Sequence, residues 1–160
     1  MRKISAVPVH LAPPKPRLAI DHRLVAEAFR LACGLAAAAL LSANLKFNGT
    51  IIMQIHGDGP VKLLVVECDA ALQLRATAKL AEDTPIADEL SLQQLVNLHG
   101  NGRFAITLDP ADKLPGQQAY QGIVSLDGDS VATVIENYML RSEQLDTRLW
   151  LAADDKVTRG

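Results

Sequence analysis

The sequence has few aromatic residues, and its charges nearly cancel. Aromatic side chains make up 4% of the 160 residues, and the formal net charge is −2. Single strands of nucleic acid are bound by stacking on aromatic rings, and duplex DNA or anionic membranes are bound by excess positive charge. The composition therefore gives no support to a nucleic-acid-binding or membrane-surface protein.

Cysteine is equally scarce, with only Cys33 and Cys68 in the sequence. A structural zinc site with four cysteine ligands needs four of them, and small secreted disulfide scaffolds also carry more. No cleavable signal pattern opens the chain. We therefore predict a protein of the reducing cytoplasm that holds no metal or other cofactor in this chain.

The sequence also lacks the usual catalytic motifs, namely a GxSxG elbow, a phosphate-binding Walker loop, a CxxC pair and an HExxH helix. His56 and Asp58 lie together in HGDGP, but its Gly and Pro residues are explained by a tight hairpin turn. Asp127, Asp129 and Ser130 precede a predicted helix, whose free amides suit a phosphate. The two aspartates repel an anion, so we interpret this segment as a helix cap and predict no enzyme.

What the chain does have is a long apolar stretch, residues 25–45, rich in Ala and Leu. No charged residue lies between Arg30 and Ser42, but the run is shorter than the roughly 20 apolar residues that span a membrane. Apolar residues on every side predict a central helix buried on several faces. Before it, prolines at positions 8, 13, 14 and 16 predict an extended segment over residues 1–19, followed by one domain over residues 20–160.

The remaining chain alternates short strand-like and helix-like segments. Strands are predicted at 50–56, 61–67, 71–80, 102–109, 118–126 and 147–152. Ser91 and Gln94 indicate a capping box for a helix ending near Gly100, and apolar residues spaced as in a helix follow Ser130. We predict an α+β domain: an antiparallel sheet packed on the long central apolar helix, with a second amphipathic helix near the C-terminus.

Four segments together resemble one known family. They are LKFNG (45–49), GDGP (57–60), YQGIVSLDGD (120–129) and ENYMLRSEQLDTRL (136–149). They are similar to the bacterial redox-regulated heat-shock chaperone of 33 kDa. The resemblance implies an ATP-independent holdase that binds unfolded or oxidatively damaged proteins and prevents their aggregation, in the cytoplasm and as a homodimer.

The same resemblance implies what this chain does not contain. The family's redox switch is a C-terminal zinc site of Cys-x-Cys and Cys-x-x-Cys pairs, and no such pairs occur here. Cys33 and Cys68 do not correspond to the switch cysteines. The resemblance therefore implies the substrate-binding domain without the zinc module, and we expect this chain to bind no structural zinc and to act without redox control.

The first two predicted strands are apolar on both sides, which indicates a second apolar surface beside the core. We assign Ile51, Met53, Ile55, Val61, Leu63 and Val65 to the side of the long helix. The candidate client-binding or dimer face then comprises Ile52, Leu64, Val66 and Ile123. If so, Leu64→Ser with Val66→Ser weakens client binding and leaves the fold intact. The reverse assignment of the two faces stays open, because no strand fixes it alone.

Two other functions stay open from the residues alone. One is a small cytoplasmic enzyme or ligand-binding domain with a site near Asp127 and Ser130, and the other is a structural oligomerisation domain. A holdase requires a continuous exposed apolar patch, whereas a small-ligand site requires a concave pocket with converging polar groups.

Overall fold

The computed structural model describes residues 37–38, 41–43, 47–81, 90–113 and 116–151. Five strands form one antiparallel sheet in the order β3-β2-β1-β4-β5. The strands are β1 (Gly49–His56), β2 (Val61–Cys68), β3 (Leu74–Leu80), β4 (Arg103–Pro110) and β5 (Tyr120–Ser125). Two helices lie wholly within the described residues, α1 (Leu92–Val96) and α2 (Val131–Ser142). The predicted antiparallel α+β arrangement is confirmed.

The predicted tight turn of GDGP joins β1 to β2. The Gly57 N–H donates to the Lys62 carbonyl over 2.9 Å, which closes the hairpin. The turn also lies against the end of α1, because a Cβ on Gly59 would be 2.5 Å from the Leu95 carbonyl oxygen. Glycine is therefore required here for close backbone approach.

Helix α1 begins with the predicted capping box. Ser91 Oγ accepts from the Gln94 N–H over 3.2 Å, and the Ser91 N–H donates to Gln94 Oε1 over 2.9 Å. The helix ends at Val96, earlier than the predicted end near Gly100. Directly after the helix, the Asn97 side chain donates to the Leu126 carbonyl and accepts from the Gly102 N–H over 2.7 Å.

Helix α2 is the predicted C-terminal amphipathic helix. Ser130 caps it by accepting from the Thr133 N–H over 3.2 Å. Its buried stripe comprises Val131, Val134, Ile135, Tyr138 and Met139. The Tyr138 ring meets Phe104 of β4 edge to face, with centroids 5.7 Å apart, and this contact fixes the helix on the sheet.

Only part of the predicted central helix lies among the described residues. Residues 37, 38 and 41–43 are helical, and Ala37, Ala38 and Leu41 are buried in the core. Ser42 Oγ donates to the Asp69 carbonyl at the end of β2 over 3.3 Å. The rest of residues 25–45 and the proposed boundary between residues 1–19 and 20–160 fall outside the described residues, so the helix length and domain limits stay predictions.

The third strand begins later than predicted, at Leu74 instead of residue 71. The Asp69 carboxylate accepts from the N–H groups of Ala71 and Gln73 over 2.9 and 2.8 Å. Leu72 lies between them with a φ of 61°. Aspartate commonly holds turns in this way, and the turn delays the strand.

The strand predicted at 147–152 is not present over its described residues, 147–151. The Leu149 N–H, which a neighbouring strand would bind, donates instead to the Glu136 carboxylate of α2 over 2.7 Å. A side chain of the preceding helix therefore replaces a strand partner, which alternation of apolar residues could not reveal.

Candidate functional site: the two faces of the sheet

The strand register decides which side chains share a face, because residues directly opposite on neighbouring strands point to the same side. Ile51, Met53 and Ile55 of β1 lie opposite Cys68, Val66 and Leu64 of β2, respectively. All six are buried and belong to one hydrophobic core, which also contains the stripe of α2. We call this side of the sheet the covered face.

The predicted grouping of Leu64 and Val66 with Ile52 is therefore wrong. Leu64 is 5% exposed and Val66 is 1% exposed, both on the covered face. An irregularity in the β2–β3 pairing between Val61 and Leu63 lets Val61 be buried although it is three residues before Leu64. A strand that is apolar on both sides gives no pattern to show this reversal.

Ile52 and Ile123 do share the opposite side of the sheet. One row across it pairs Thr77, Val65, Gln54, Ala105 and Ile123. Ile52 and Leu63 belong to the adjacent rows, opposite Glu67 and His56. We define the open face as the large apolar side chains of this side: Ile52, Leu63, Val65 and Ile123.

Polar side chains lie among and around the apolar residues of the open face. Ile123 is 58% exposed, while Ile52, Leu63 and Val65 are half-buried. Three strand spacings separate Val65 from Ile123, which gives a width of roughly 14 Å. Polar and charged residues of both signs lie on the same side, including His56, Glu67, Arg75, Lys79 and Arg103.

The predicted placement of Leu63 and Val65 on the side of the long helix is wrong, although a signal for their true side exists. Glu67 is the polar residue of β2 that lies on the open side, opposite Ile52. Counting back from Glu67 in steps of two gives Val65 and Leu63. The charged residue at one end of the strand therefore marks its outer side better than the apolar residues do.

A second group of exposed apolar side chains lies on β5 and around the end of α2. Tyr120, Leu140, Leu145 and Trp150 are each more than half exposed. The Glu143 carboxylate accepts from the hydroxyls of Tyr138 and Tyr120 over 3.2 and 3.3 Å. This carboxylate joins the end of α2 to the edge strand β5.

The pKa values of both tyrosines are raised above the ordinary value. Burial, followed by the charge of Glu143, raises the pKa of Tyr138. The charge of Glu143 is the main cause that raises the pKa of Tyr120. Both hydroxyls therefore remain hydrogen-bond donors at neutral pH, and neither is prepared to act as a general base.

The segment around Asp127 and Ser130 uses its polar groups in the fold. The Asp127 carboxylate forms an ion pair with Arg141 at 2.5 Å, and its carbonyl accepts from Asn137 over 2.8 Å. Gln93 of α1 donates to the Gly128 carbonyl. These contacts support the predicted helix cap and leave the alternative ligand site without an observation in its favour.

Asp58 likewise holds backbone and does not pair with an imidazole. Its carboxylate accepts from the N–H groups of His99 and Asn101, the latter over 2.9 Å. Desolvation acts to raise the pKa of Asp58, but these N–H donors outweigh it and hold the pKa below the ordinary value. His56 and His99 are both exposed. The predicted turn thus explains HGDGP.

Cys68 is a buried, reduced thiol, and burial is the main cause that raises its pKa. Within the described ranges, no three His, Cys, Asp or Glu side chains are grouped as metal ligands. The helices described here include none long and apolar enough to cross a membrane.

Residues 21–160 match the family model described as Hsp33 protein. The chain belongs to the Hsp33 family. It is 46% identical over 144 residues to the 33 kDa chaperonin of Methylobacillus flagellatus, covering 88% of this chain and 46% of that one. It is 51% identical over 126 residues to the 33 kDa chaperonin of Chromobacterium violaceum, covering 79% and 40%.

The fold agrees with a solved structure of the same family. The crystal structure of the 33 kDa chaperonin from Thermotoga maritima matches with a TM-score of 0.53 and 23% identity, over 71% of this chain and 38% of that chain. The Hsp33 fold is thus supported. The chain spans less than half the length of these curated relatives.

Proposed function

We propose that this chain is the substrate-binding part of an ATP-independent holdase that binds unfolded or oxidatively damaged proteins and prevents their aggregation. Membership of the Hsp33 family supports a chaperone role. The open face is the structural observation that carries the proposal. Its Ile123 is exposed and its Ile52, Leu63 and Val65 are partly exposed, whereas the other side of the sheet is the protein core.

The chemistry of the open face suits clients of many sequences. Apolar burial is non-directional, so it requires no particular side-chain arrangement in the bound chain. Covering about 300 Å² of apolar surface yields on the order of 7 kcal/mol before ordering costs are subtracted. That magnitude fits reversible binding of an extended segment, and the surrounding charges of both signs favour no single charge on the client.

We also infer that the protein is a cytoplasmic homodimer. Within each chain, we infer one domain over residues 20–160 that contains a long helix over residues 25–45. The described residues 37, 38 and 41–43 are helical, and the burial of Ala37, Ala38 and Leu41 in the core supports that helix. Self-association through the open face would compete with client binding, because both cover the same side chains.

The proposal is tested by suppression of aggregation of a thermally unfolded client without nucleotide. Val65→Ser with Ile123→Ser should weaken holding and keep the thermal midpoint close to that of the parent. Leu98→Ser is the matched control, because Leu98 is 54% exposed and lies in the loop after α1, outside the strands. If the double variant folds and holds clients as well as the parent, the open face is not the binding surface.

Redox dependence is a separate part of the proposal. We propose that the chain binds no structural zinc, since its sequence contains two cysteines, and that its holding activity does not require oxidation. Metal content and client holding are measured with and without peroxide. Stoichiometric zinc, or holding that appears only after oxidation, would contradict it.

A further inference from the structure

The segment that follows α2 runs back along that helix. Gln144 has a φ of 55°, and the Leu145 N–H donates to the Met139 carbonyl over 3.0 Å. The chain therefore reverses direction within a few residues of Ser142. Residues 146–151 then lie beside the earlier turns of α2, where Glu136 is located.

Glu136 makes both hydrogen bonds that hold this segment to the helix. Its carboxylate accepts from the Leu149 N–H over 2.7 Å and from the Arg148 guanidinium over 3.2 Å. The Glu136 side chain is 15% exposed, whereas that of Arg148 is 58% exposed. Among the described residues, no other hydrogen bond joins residues 146–151 to a different element.

The segment covers apolar surface through alternate residues. Thr147 and Leu149 are 8% and 7% exposed, while Arg148 and Trp150 point to solvent. Leu149 belongs to the same hydrophobic core as the buried stripe of α2, and Leu151 packs partly against it. Leu149 is therefore the apolar anchor of the segment, and the Glu136 carboxylate binds the same stretch of backbone through polar contacts.

We propose that residues 146–151 form a strap that Glu136 holds closed over α2, and that opening the strap adds the apolar surface now covered by Leu149 to the client-binding surface. The second half rests on the proposed holdase function. The strap itself does not, because it follows from the two Glu136 contacts and the burial of Leu149.

Strap opening is measured directly, because Trp150 is the single tryptophan of the chain. Glu136→Ala should lower the fluorescence anisotropy of Trp150. It should also speed hydrogen exchange at the Leu149 amide by about tenfold, as expected when a charged acceptor is lost. Glu136→Gln should give a smaller change, because its Oε1 still accepts from the Leu149 N–H.

Glu67→Gln is the matched control for these measurements. Glu67 also pairs with an arginine, Arg75, but on the open side of the sheet. The Glu67→Gln variant should leave the fluorescence anisotropy of Trp150 and the hydrogen exchange of the Leu149 amide unchanged. Unchanged anisotropy and exchange in Glu136→Ala would overturn the strap. Loss of cooperative unfolding in both Glu136→Ala and Arg148→Ala would also overturn it, because the segment would then be an integral part of the core.

Client holding by the same variants tests the second half. A folded Glu136→Ala variant with an open strap should hold more thermally unfolded client than the parent. If the strap opens and holding does not rise, the added binding surface is refuted and the strap stands. If neither parent nor variant holds clients while Trp150 responds, the proposed function fails and the strap stands.

Discussion

The covered and open faces of this sheet are built from the same strands and differ mainly in what lies between their apolar residues. On the covered face, cross-strand rows are apolar from β2 to β4, and Ile51, Val66 and Phe104 are at most 2% exposed. On the open face, Gln54, Glu67 and Thr107 interrupt the rows. The polar side chains within its cross-strand rows therefore distinguish the open face from the core.

The largest expected effect comes from replacing buried residues of the covered face with serine. Leu64→Ser with Val66→Ser should abolish cooperative unfolding or cost more than about 4 kcal/mol, because it leaves both cavities and buried hydroxyls. The expectation from sequence that this variant stays folded is thus reversed by the burial of both residues. Urea denaturation measures the change.

Leu63→Ser with Val65→Ser is the matched pair on the open face. It changes the same residue types in the same strand, and both side chains are only half-buried. It should retain a cooperative transition. Equal losses in the two double variants would break the distinction between the faces.

The next effect concerns the contact of α2 with the covered face. Gly122 lies beneath Tyr138, and a Cβ at Gly122 would meet the Tyr138 hydroxyl and lie 2.9 Å from its Cζ. Gly122→Ala should therefore destabilise the protein by about 1–3 kcal/mol through overpacking. Ser125→Ala, an exposed position of the same strand, should change stability by less than about 0.5 kcal/mol. A stable Gly122→Ala variant would show that Tyr138 can move aside.

A smaller effect is expected from Asp58, at the end of the sheet. Its pKa is lowered in the folded protein from 3.8, so its stabilising contribution is present above that pH and is lost as the pH falls through the folded value. Asp58→Asn should weaken the loop at His99 and Asn101 at neutral pH. The variant should also lose less stability than the parent as the pH falls below 3.8. Parallel pH profiles of the denaturation midpoint would contradict this role.

The smallest effect should come from an ion pair on the open side. Arg75 is 80% exposed in its contact with Glu67, and such pairs contribute about 0.5 kcal/mol or less. Glu67→Gln should lower the free energy of unfolding by no more than this amount. The difference should shrink in high salt, and a loss that salt does not change would argue for a structural role of Glu67 beyond the pair.

The sequence alone predicted those parts of the fold that local chemistry determines. The capping box of Ser91, the cap at Ser130 and the turn at Gly57 each depend on residues within a few positions of one another. The faces of β2 were predicted wrongly, because they depend on pairing with β1 and on the irregularity near Val61. The false strand at 147–152 had the same cause, since its partner is Glu136.

For the candidate site, sequence patterns located two of the four side chains of the open face, Ile52 and Ile123. They could not exclude Leu64 and Val66, because burial is a property of the assembled sheet. The polar contacts of Glu136 and Glu143 could not be predicted from the sequence either. Each joins α2 to a segment whose position depends on the complete fold.

The strand order has a consequence for how the chain is made. β1, β2 and β3 follow one another in sequence and can pair as soon as they are synthesised, but β1 also needs β4, which begins at Arg103. At about 5–20 residues per second, several seconds separate β2 from a completed β4. During that interval the free edge of β1 and the apolar residues Ile51, Met53 and Ile55 lack their final cover. We expect the newborn chain to pass briefly through the kind of incompletely paired state in which proteins aggregate.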